Sequence, residues 1–350
     1  MKKIAFIMGL VALVVVAITA MATVYSQQQQ RKRSTAAVVS TPTPEGRSTL
    51  APVPPTSRRV SFAIAGDIML ARSVRRAFGA NAFRDLLTFF DATIFEGVDA
   101  AIANLEGALS DKPVAKESNP HTFVFHFPPE GLRVLEDLHL SGVSLANNHS
   151  LNAGTKGLAT TRRVVQEANI KPIGDPQSVT EDHVGQFEGN GLTLYIIAVN
   201  DIGNGQPHDP IPLIRRLTQD PNARAIVFPH WGVEYAPRHS KRQEQLAHDW
   251  IDAGADAVIG GHPHVVQDME LYHNKPIVYS LGNFIFDQMF SAETQRGLIV
   301  KGEFIEDQLV LAVLPIESNR MQPRMVEAPE WFDRWLQENK NALDAVGGIP

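Results

Sequence analysis

From about Arg58 onward, short apolar runs of strand length alternate with stretches of helical spacing, and this alternation limits the chain to an α/β arrangement. Residues 60–65 read as a strand, and residues 73–90 carry helical spacing through Val74, Ala77, Phe78, Phe83, Leu86 and Leu87. A short helix over 132–140 feeds a strand at Val143, and a second over 155–168 stops near Pro172 and Gly174. Strands over 192–199 and 225–228 flank a helix over 211–218, and a helix over 239–253 ends at Gly254. Beyond it the pattern changes: 269–272, 276–281, 297–304 and 308–314 read as strands with no helix between them. Alternation followed by hairpins predicts a mixed sheet, or two sheets packed face to face with helices outside. This body spans 58–318, and 319–350 reads as a C-terminal extension with a short helix over 329–341.

The amino-terminal part has another character. Lys2 and Lys3 precede an uncharged run over 4–24, close to the length of one bilayer span. Residues 1–26 are therefore expected to be a signal anchor, or a signal peptide cleaved after the small-x-small Ala20-Met21-Ala22. Residues 27–57 are rich in Gln, Thr and Pro with few large apolar side chains, the composition of an unpacked tether. Together these predict a single-pass membrane protein with its body outside the cytoplasm, or a secreted one after cleavage. The formal charge of −6 is unevenly spread. Residues 1–57 hold six of the 32 Lys/Arg and one of the 38 Asp/Glu, so the remainder balances at −11. An acidic body argues against nucleic acid as a partner. The chain has no cysteine, which removes disulfides and thiolate metal sites. Any metal would be held by His, Asn and carboxylates, a set suited to Mn, Fe or Zn.

Five strand-like runs end in residues able to hold or position a cation. They lead to Asp67; to Asn104 and Glu106; to Asn148 and His149; to His230; and to His262 and His264. In an α/β sheet the crevice beyond the carboxyl ends of the strands is where ligands bind, so these residues are expected to share one site. Asp67 is the candidate bridging carboxylate, with Asn148, His230 and His262 serving one metal and Glu106 with His264 the other. His149 is the candidate general acid, and Glu234 a second candidate catalytic residue. Each also has a plainer role. Asp67 suits a helix cap, Asn147-Asn148-His149 suits a turn, and Glu234 suits holding the His230 imidazole. Five such coincidences are harder to accept than one site. Arg72 is expected in a surface salt bridge, with an anionic substrate as the alternative.

Six motifs then carry a resemblance: Gly66-Asp67-Ile68-Met69-Leu70, Ala103-Asn104-Leu105-Glu106, Ala146-Asn147-Asn148-His149, His230-Trp231-Gly232-Val233-Glu234, Gly260-Gly261-His262-Pro263-His264 and Ser280-Leu281-Gly282-Asn283-Phe284. In this order they resemble the bacterial capsule-synthesis proteins of the CapA/PgsA type, associated with poly-γ-glutamate and membrane anchoring, over roughly residues 60–316. They are also similar to calcineurin-like metallophosphoesterases. That likeness implies a four-layer αββα sandwich and one or two divalent metal ions. The phosphoesterase pattern Asp-x-His stands here as Asp67-Ile68-Met69, and its second Asp motif as Asn104-Leu105-Glu106. The half holding Asn148, His230 and His262 is therefore expected to be the stronger. Two functions follow. One is a metal-dependent hydrolase acting on a phosphoester or on the amide of an acidic polymer. The other is a non-catalytic assembly or export factor working with membrane synthase subunits.

Overall fold

The computed structural model describes residues 57–110, 123–203 and 209–345. The apolar run over 4–24 and nearly all of the tether lie outside these residues. No helix among the described residues is long and apolar enough to cross a membrane.

Two sheets carry the fold. In the first, strand order is Gln322–Met325, Gln308–Asn319, Arg296–Ile305, Arg59–Ile68, Ala100–Leu105, Gly142–Ser144 and Lys171–Ile173, with Asn283–Ile285 added beside the end of Arg59–Ile68. The four strands from Arg59 to Ile173 run parallel, and Asn283–Ile285 also pairs parallel with Arg59–Ile68. Arg296–Ile305 pairs antiparallel with Arg59–Ile68 and continues into two antiparallel hairpins. The second sheet runs Met269–Tyr272, Lys275–Val278, Ala257–Ile259, Ala223–His230, Thr193–Asn200 and Gly185–Glu188. Its four central strands are parallel and its two edges antiparallel. The fold is mixed α/β, as the alternation predicts.

Side-chain alternation along each strand sorts the core into three layers. Ala63, Ala65, Ala101 and Ala103 face Val74, Val134, Leu158 and Val165 of the helices outside the first sheet. The intervening Phe62, Ile64 and Ile102 face Ile196, Ile226, Phe228 and Ile259 of the second sheet. On that sheet's far side Val199, Val227 and Val258 pack against Ile214, Ala247 and Trp250. All eight residues of Ala223–His230 are buried, the mark of a parallel strand covered on both faces. The polypeptide crosses residue 318 inside the strand Gln308–Asn319. The helices that follow, Glu330–Glu338 and Lys340–Ala345, bring Trp331, Phe332, Trp335 and Leu343 into the core between the sheets.

The helical spacing over 73–90 resolves differently. The helix runs only Arg72–Phe78, and Ala82 and Phe83 take φ of 55° and 60°. The Phe83 N–H donates to Phe78 O at 2.9 Å, folding the chain back so that Phe83 and Leu86 still reach the core. The same apolar positions are buried by a reversal instead of by a long helix.

Candidate metal centre

Asp67 lies at the carboxyl end of Arg59–Ile68, in register with Asn104 on one side and Asn283 on the other. Both pairings shift register there, which turns the carboxylate inward. The turn needs Gly66, because a Cβ at that position would sit 2.0 Å from Gly282 O. Glu106 follows Ala100–Leu105 and is anchored by its N–H to Ile68 O at 2.8 Å. His230 ends its own strand. The two imidazoles after Ala257–Ile259 sit on backbone with positive φ, 94° at His262 and 58° at His264. Such conformations are disfavoured for side-chain-bearing residues and persist where the surroundings impose them. Here Gly261 N–H donates to Pro229 O at 2.9 Å, and His262 N–H donates to Asp67 Oδ2 at 3.2 Å.

The amide side chains fix which ring nitrogens carry protons. Asn147 Nδ2 donates to Leu105 O at 2.9 Å and to Asn104 Oδ1 at 3.0 Å, so Asn104 must point its Nδ2 the other way. That Nδ2 donates to Asp67 Oδ1 at 2.8 Å and to His230 Nδ1 at 3.2 Å. With Nδ1 an acceptor, neutral His230 carries its proton on Nε2, 2.9 Å from Asn148 Oδ1 and 3.2 Å from His262 Nδ1. Asn283 Nδ2 donates to Gln288 Oε1 at 3.0 Å and Thr294 O at 2.9 Å, leaving Oδ1 to accept from His264 Nδ1 at 3.0 Å. The Nε2 of His264 then faces Glu106 Oε1 at 3.7 Å. By the same logic Asn152 Oδ1 accepts from Phe125 N at 2.7 Å and His149 Nδ1 at 2.9 Å, which leaves His149 Nε2 unprotonated, 3.7 Å from Glu106 Oε1. Donating one ring N–H so that the other nitrogen is set, as His264 and His149 do, is the usual way a ligand histidine is oriented. His230, accepting at Nδ1, instead keeps its proton on the nitrogen that faces Asn148 and His262.

Glu106 is the exceptional group. It is 0% exposed, and neither carboxylate oxygen has a hydrogen-bond partner. A buried carboxylate without donors is costly unless a cation compensates it. Burial pushes its pKa up to about 8. Burial works against a proton on His264, but the Glu106 and Asp67 carboxylates outweigh it and hold that imidazole up at about 9. The other rings go the opposite way. Burial drives His262 down to about 3 and His230 well below its ordinary value, and it lowers His149 as well. His230, His262 and His149 are thus neutral near pH 7, the form in which imidazole binds a metal or accepts a proton.

Asp67, Glu106 and His264 offer ligand atoms that all lie within 4.8 Å of one another, and the orphaned oxygens of Glu106 make this donor set fit a divalent cation. Asn148 Oδ1, His230 Nε2 and His262 Nδ1 converge beside them. All six residues proposed from sequence as ligands, and His149 with them, come together. The half expected to be the weaker holds two carboxylates. Met69 is withdrawn from it: fully buried in the core, its Sδ accepts the Ala71 N–H at 3.0 Å. His149 stacks on Phe125 at 3.9 Å and, being neutral with a free Nε2, must take up a proton before it can donate one. Glu234 is exposed at the rim, where its charge acts on Tyr235, raised to about 12 by burial and then by Glu234. Arg72 is not on the surface. Its side chain is 15% exposed, paired with Asp287, and its guanidinium lies 4.8 Å from the Phe125 ring and 5.8 Å from that of Phe286.

The family model for the bacterial capsule synthesis protein PGA_cap matches residues 61–288. The chain belongs to that family. The PGA_cap match encloses every residue of the centre, from Asp67 to Asn283. The "PGA biosynthesis protein CapA" of Bacillus subtilis (strain 168) is 28% identical over 256 residues, 69% of this chain and 67% of that protein. The "Capsule biosynthesis protein CapA" of Bacillus anthracis is 28% identical over 294 residues, 77% of this chain and 70% of that one. A "Probable polyglutamine synthesis accessory protein" of Mycobacterium tuberculosis is 23% identical over 288 residues, 72% and 74% of the two chains. Within the PGA_cap segment, sequence reasoning passed over Asn152 and Phe125, and met Asn147 and Asn283 only as parts of motifs. These residues orient others. The one available signal was that Asn283 opens a short apolar run after Gly282, as Asp67 follows Gly66.

Proposed function

We propose that this PGA_cap protein is a metal-dependent hydrolase of capsule biosynthesis. It acts outside the cytoplasm, tethered through residues 4–24, on a phosphoester or on the amide of a poly-γ-glutamate-type polymer. The observation that carries the reading is Glu106, a buried carboxylate without hydrogen-bond donors beside Asp67 and His264. The two helix-flanked sheets, with their parallel strands ending at this centre, support a metallophosphoesterase-like sandwich. Asp67, Glu106 and His264 would hold one cation, and Asn148, His230 and His262 a second, from among Mn, Fe and Zn. When bound, the metal supplies Lewis acidity at the scissile carbonyl or phosphoryl oxygen. Asn283 and Asn104 fix the His264 and His230 rings before substrate arrives. His149 accepts a proton at Nε2 and returns it to the leaving group, its ring held by Asn152 and Phe125.

Metal analysis and ester or amide hydrolysis by the purified full chain test this. The reading expects a retained transition metal, and turnover that is lost in His264→Gln. Metal-free protein recovered from metal-replete cells, inert after metal is added, would overturn it. The competing reading, a non-catalytic assembly factor, draws on the accessory role in the mycobacterial relative's name. It expects polymer output to survive His262→Ala and His264→Ala and to fail when residues 1–26 are removed.

A further inference from the structure

Uncovered apolar side chains gather in three segments that adjoin the candidate metal centre. Among the described residues every exposed large apolar side chain except Phe89 falls in three short segments: Phe123 with Val124, Val233 with Tyr235, and Met289 with Phe290. Each segment adjoins a residue of the site. Phe125 stacks on His149, Glu234 stands at the rim, and Gln288 bonds both Asn283 Nδ2 and the Tyr235 hydroxyl. The apolar contacts continue inward. Tyr235 meets Phe290 edge to face at 5.2 Å and lies 6.2 Å from the His264 ring, while Phe286 lies 4.6 Å from His264 and 5.8 Å from Phe125. An apolar path therefore runs from a surface where Phe290 is 67% exposed to the imidazoles of the centre. At its inner end stands a cation: Arg72, paired with Asp287 through its Nη2 and held against Phe125 and Phe286, with its Nε buried and without a hydrogen-bond partner.

Exposed apolar side chains gathered beside a buried charged centre match a ligand of the same polarity pattern. A free polymer bearing a carboxylate on every unit gains nothing from them, and the acidic body repels it at long range. We propose that this apolar surface binds an amphiphile. An anionic head, phosphoryl or carboxylate, reaches the metal centre and Arg72, and the hydrocarbon chain next to it lies along the exposed Val233, Tyr235, Met289 and Phe290. The proposal rests on the hydrolytic reading of the centre and narrows its substrate class to a lipid-linked anion.

The test compares binding of octyl and ethyl phosphonate, and of octanoate and acetate, to the metal-loaded full chain below micellar concentrations. Six further methylenes, about half of them covered, tighten binding roughly fiftyfold. The pair showing the larger effect identifies the head group. Met289→Ser/Phe290→Ser, exposed positions outside the metal-binding machinery, should reduce the ratio to a few-fold and leave both the melting temperature and hydrolysis of glycerol phosphate unchanged. Chain-length preference without hydrolysis of any ester or amide keeps this inference and removes the hydrolytic reading. Hydrolysis with no chain-length preference does the reverse. Equal binding of long and short ligands, with the double variant weakening only adsorption to phosphatidylglycerol vesicles or association with another protein, overturns the amphiphile site.

Discussion

Glu106→Gln removes one charge from the centre of the protein and keeps the shape of the side chain. In the metal-free fold the carboxyl is raised from 4.5 to about 8, chiefly by burial. The unfolded chain releases this proton near pH 4.5 and the folded chain keeps it to about 8, so stability contributed by the protonated group is lost as pH rises through that window. At about 1.4 kcal/mol per unit, the loss is under about 1 kcal/mol at pH 5 and roughly 4 kcal/mol at pH 8. His264 is raised too, from 6.5 to about 9, and its contribution disappears in the same direction over that higher range. Glutamine does not titrate. Its amide remains buried without partners at a cost of about 1–3 kcal/mol, but that cost is the same at every pH. Denaturant unfolding of metal-free protein should therefore show the variant gaining roughly 3 kcal/mol on the wild type between pH 5 and 8. Added metal should stabilise the wild type by more than it stabilises the variant. Parallel pH profiles, or a variant that still binds metal with wild-type affinity, would refute the argument that Glu106 is an uncompensated carboxylate kept for a cation.

Three further outcomes are expected. Metal affinity should tighten with rising pH between about 7 and 9, by roughly tenfold per unit for each proton displaced from the Glu106–His264 pair; titration calorimetry in buffers of different ionisation enthalpy counts those protons. Asn152→Ala frees His149 Nδ1 and should lower turnover by about tenfold or more while metal content stays constant, a split that elemental analysis beside steady-state rates would show. Gly66→Ala drives a Cβ to 2.0 Å from Gly282 O and should destabilise the protein by several kcal/mol, or prevent soluble expression, as thermal melts would reveal.

Much of the fold was legible because buried parallel strands are written as continuous apolar runs, as in Ala223–His230. The sheet crevice rule then named Asp67, Glu106, Asn148, His230, His262 and His264, since each follows such a run within a few residues. Two kinds of information were not legible. Spacing of three and four places Phe83 and Leu86 inward but does not say whether a helix or a reversal carries them there, and φ of 55° and 60° at Ala82 and Phe83 decides for the reversal. Orienting residues also escape a reading from residue type. Asn152, Asn147 and Asn283 matter through the direction in which their amides point. That direction is set by carbonyls and N–H groups distant in sequence, such as Leu105 O, Thr294 O and Phe125 N.

The two halves of the centre differ in charge, and this reverses the ranking that residue identities alone suggest. The sequence puts a methionine where the Asp-x-His pattern that it resembles has an imidazole, which counts against the half nearest Asp67 and His264. In the fold that methionine leaves the centre altogether and packs in the core, its sulfur occupied by the Ala71 N–H. What remains is Asp67, Glu106 and one imidazole, two acidic groups able to compensate a dication. The half with the more complete ligand pattern has two neutral imidazoles, an amide oxygen and only a share of Asp67, whose Oδ1 stands 3.9 Å from His230 Nδ1 and already accepts from Asn104. Its His230 proton, placed between Asn148 and His262, satisfies those atoms without any ion, whereas no hydrogen bond among the described residues satisfies Glu106. A buried site that is stable when empty binds a cation only for what the cation adds. A buried site that is strained when empty gains the relief as well, so in a metal titration the first equivalent is expected at Asp67, Glu106 and His264.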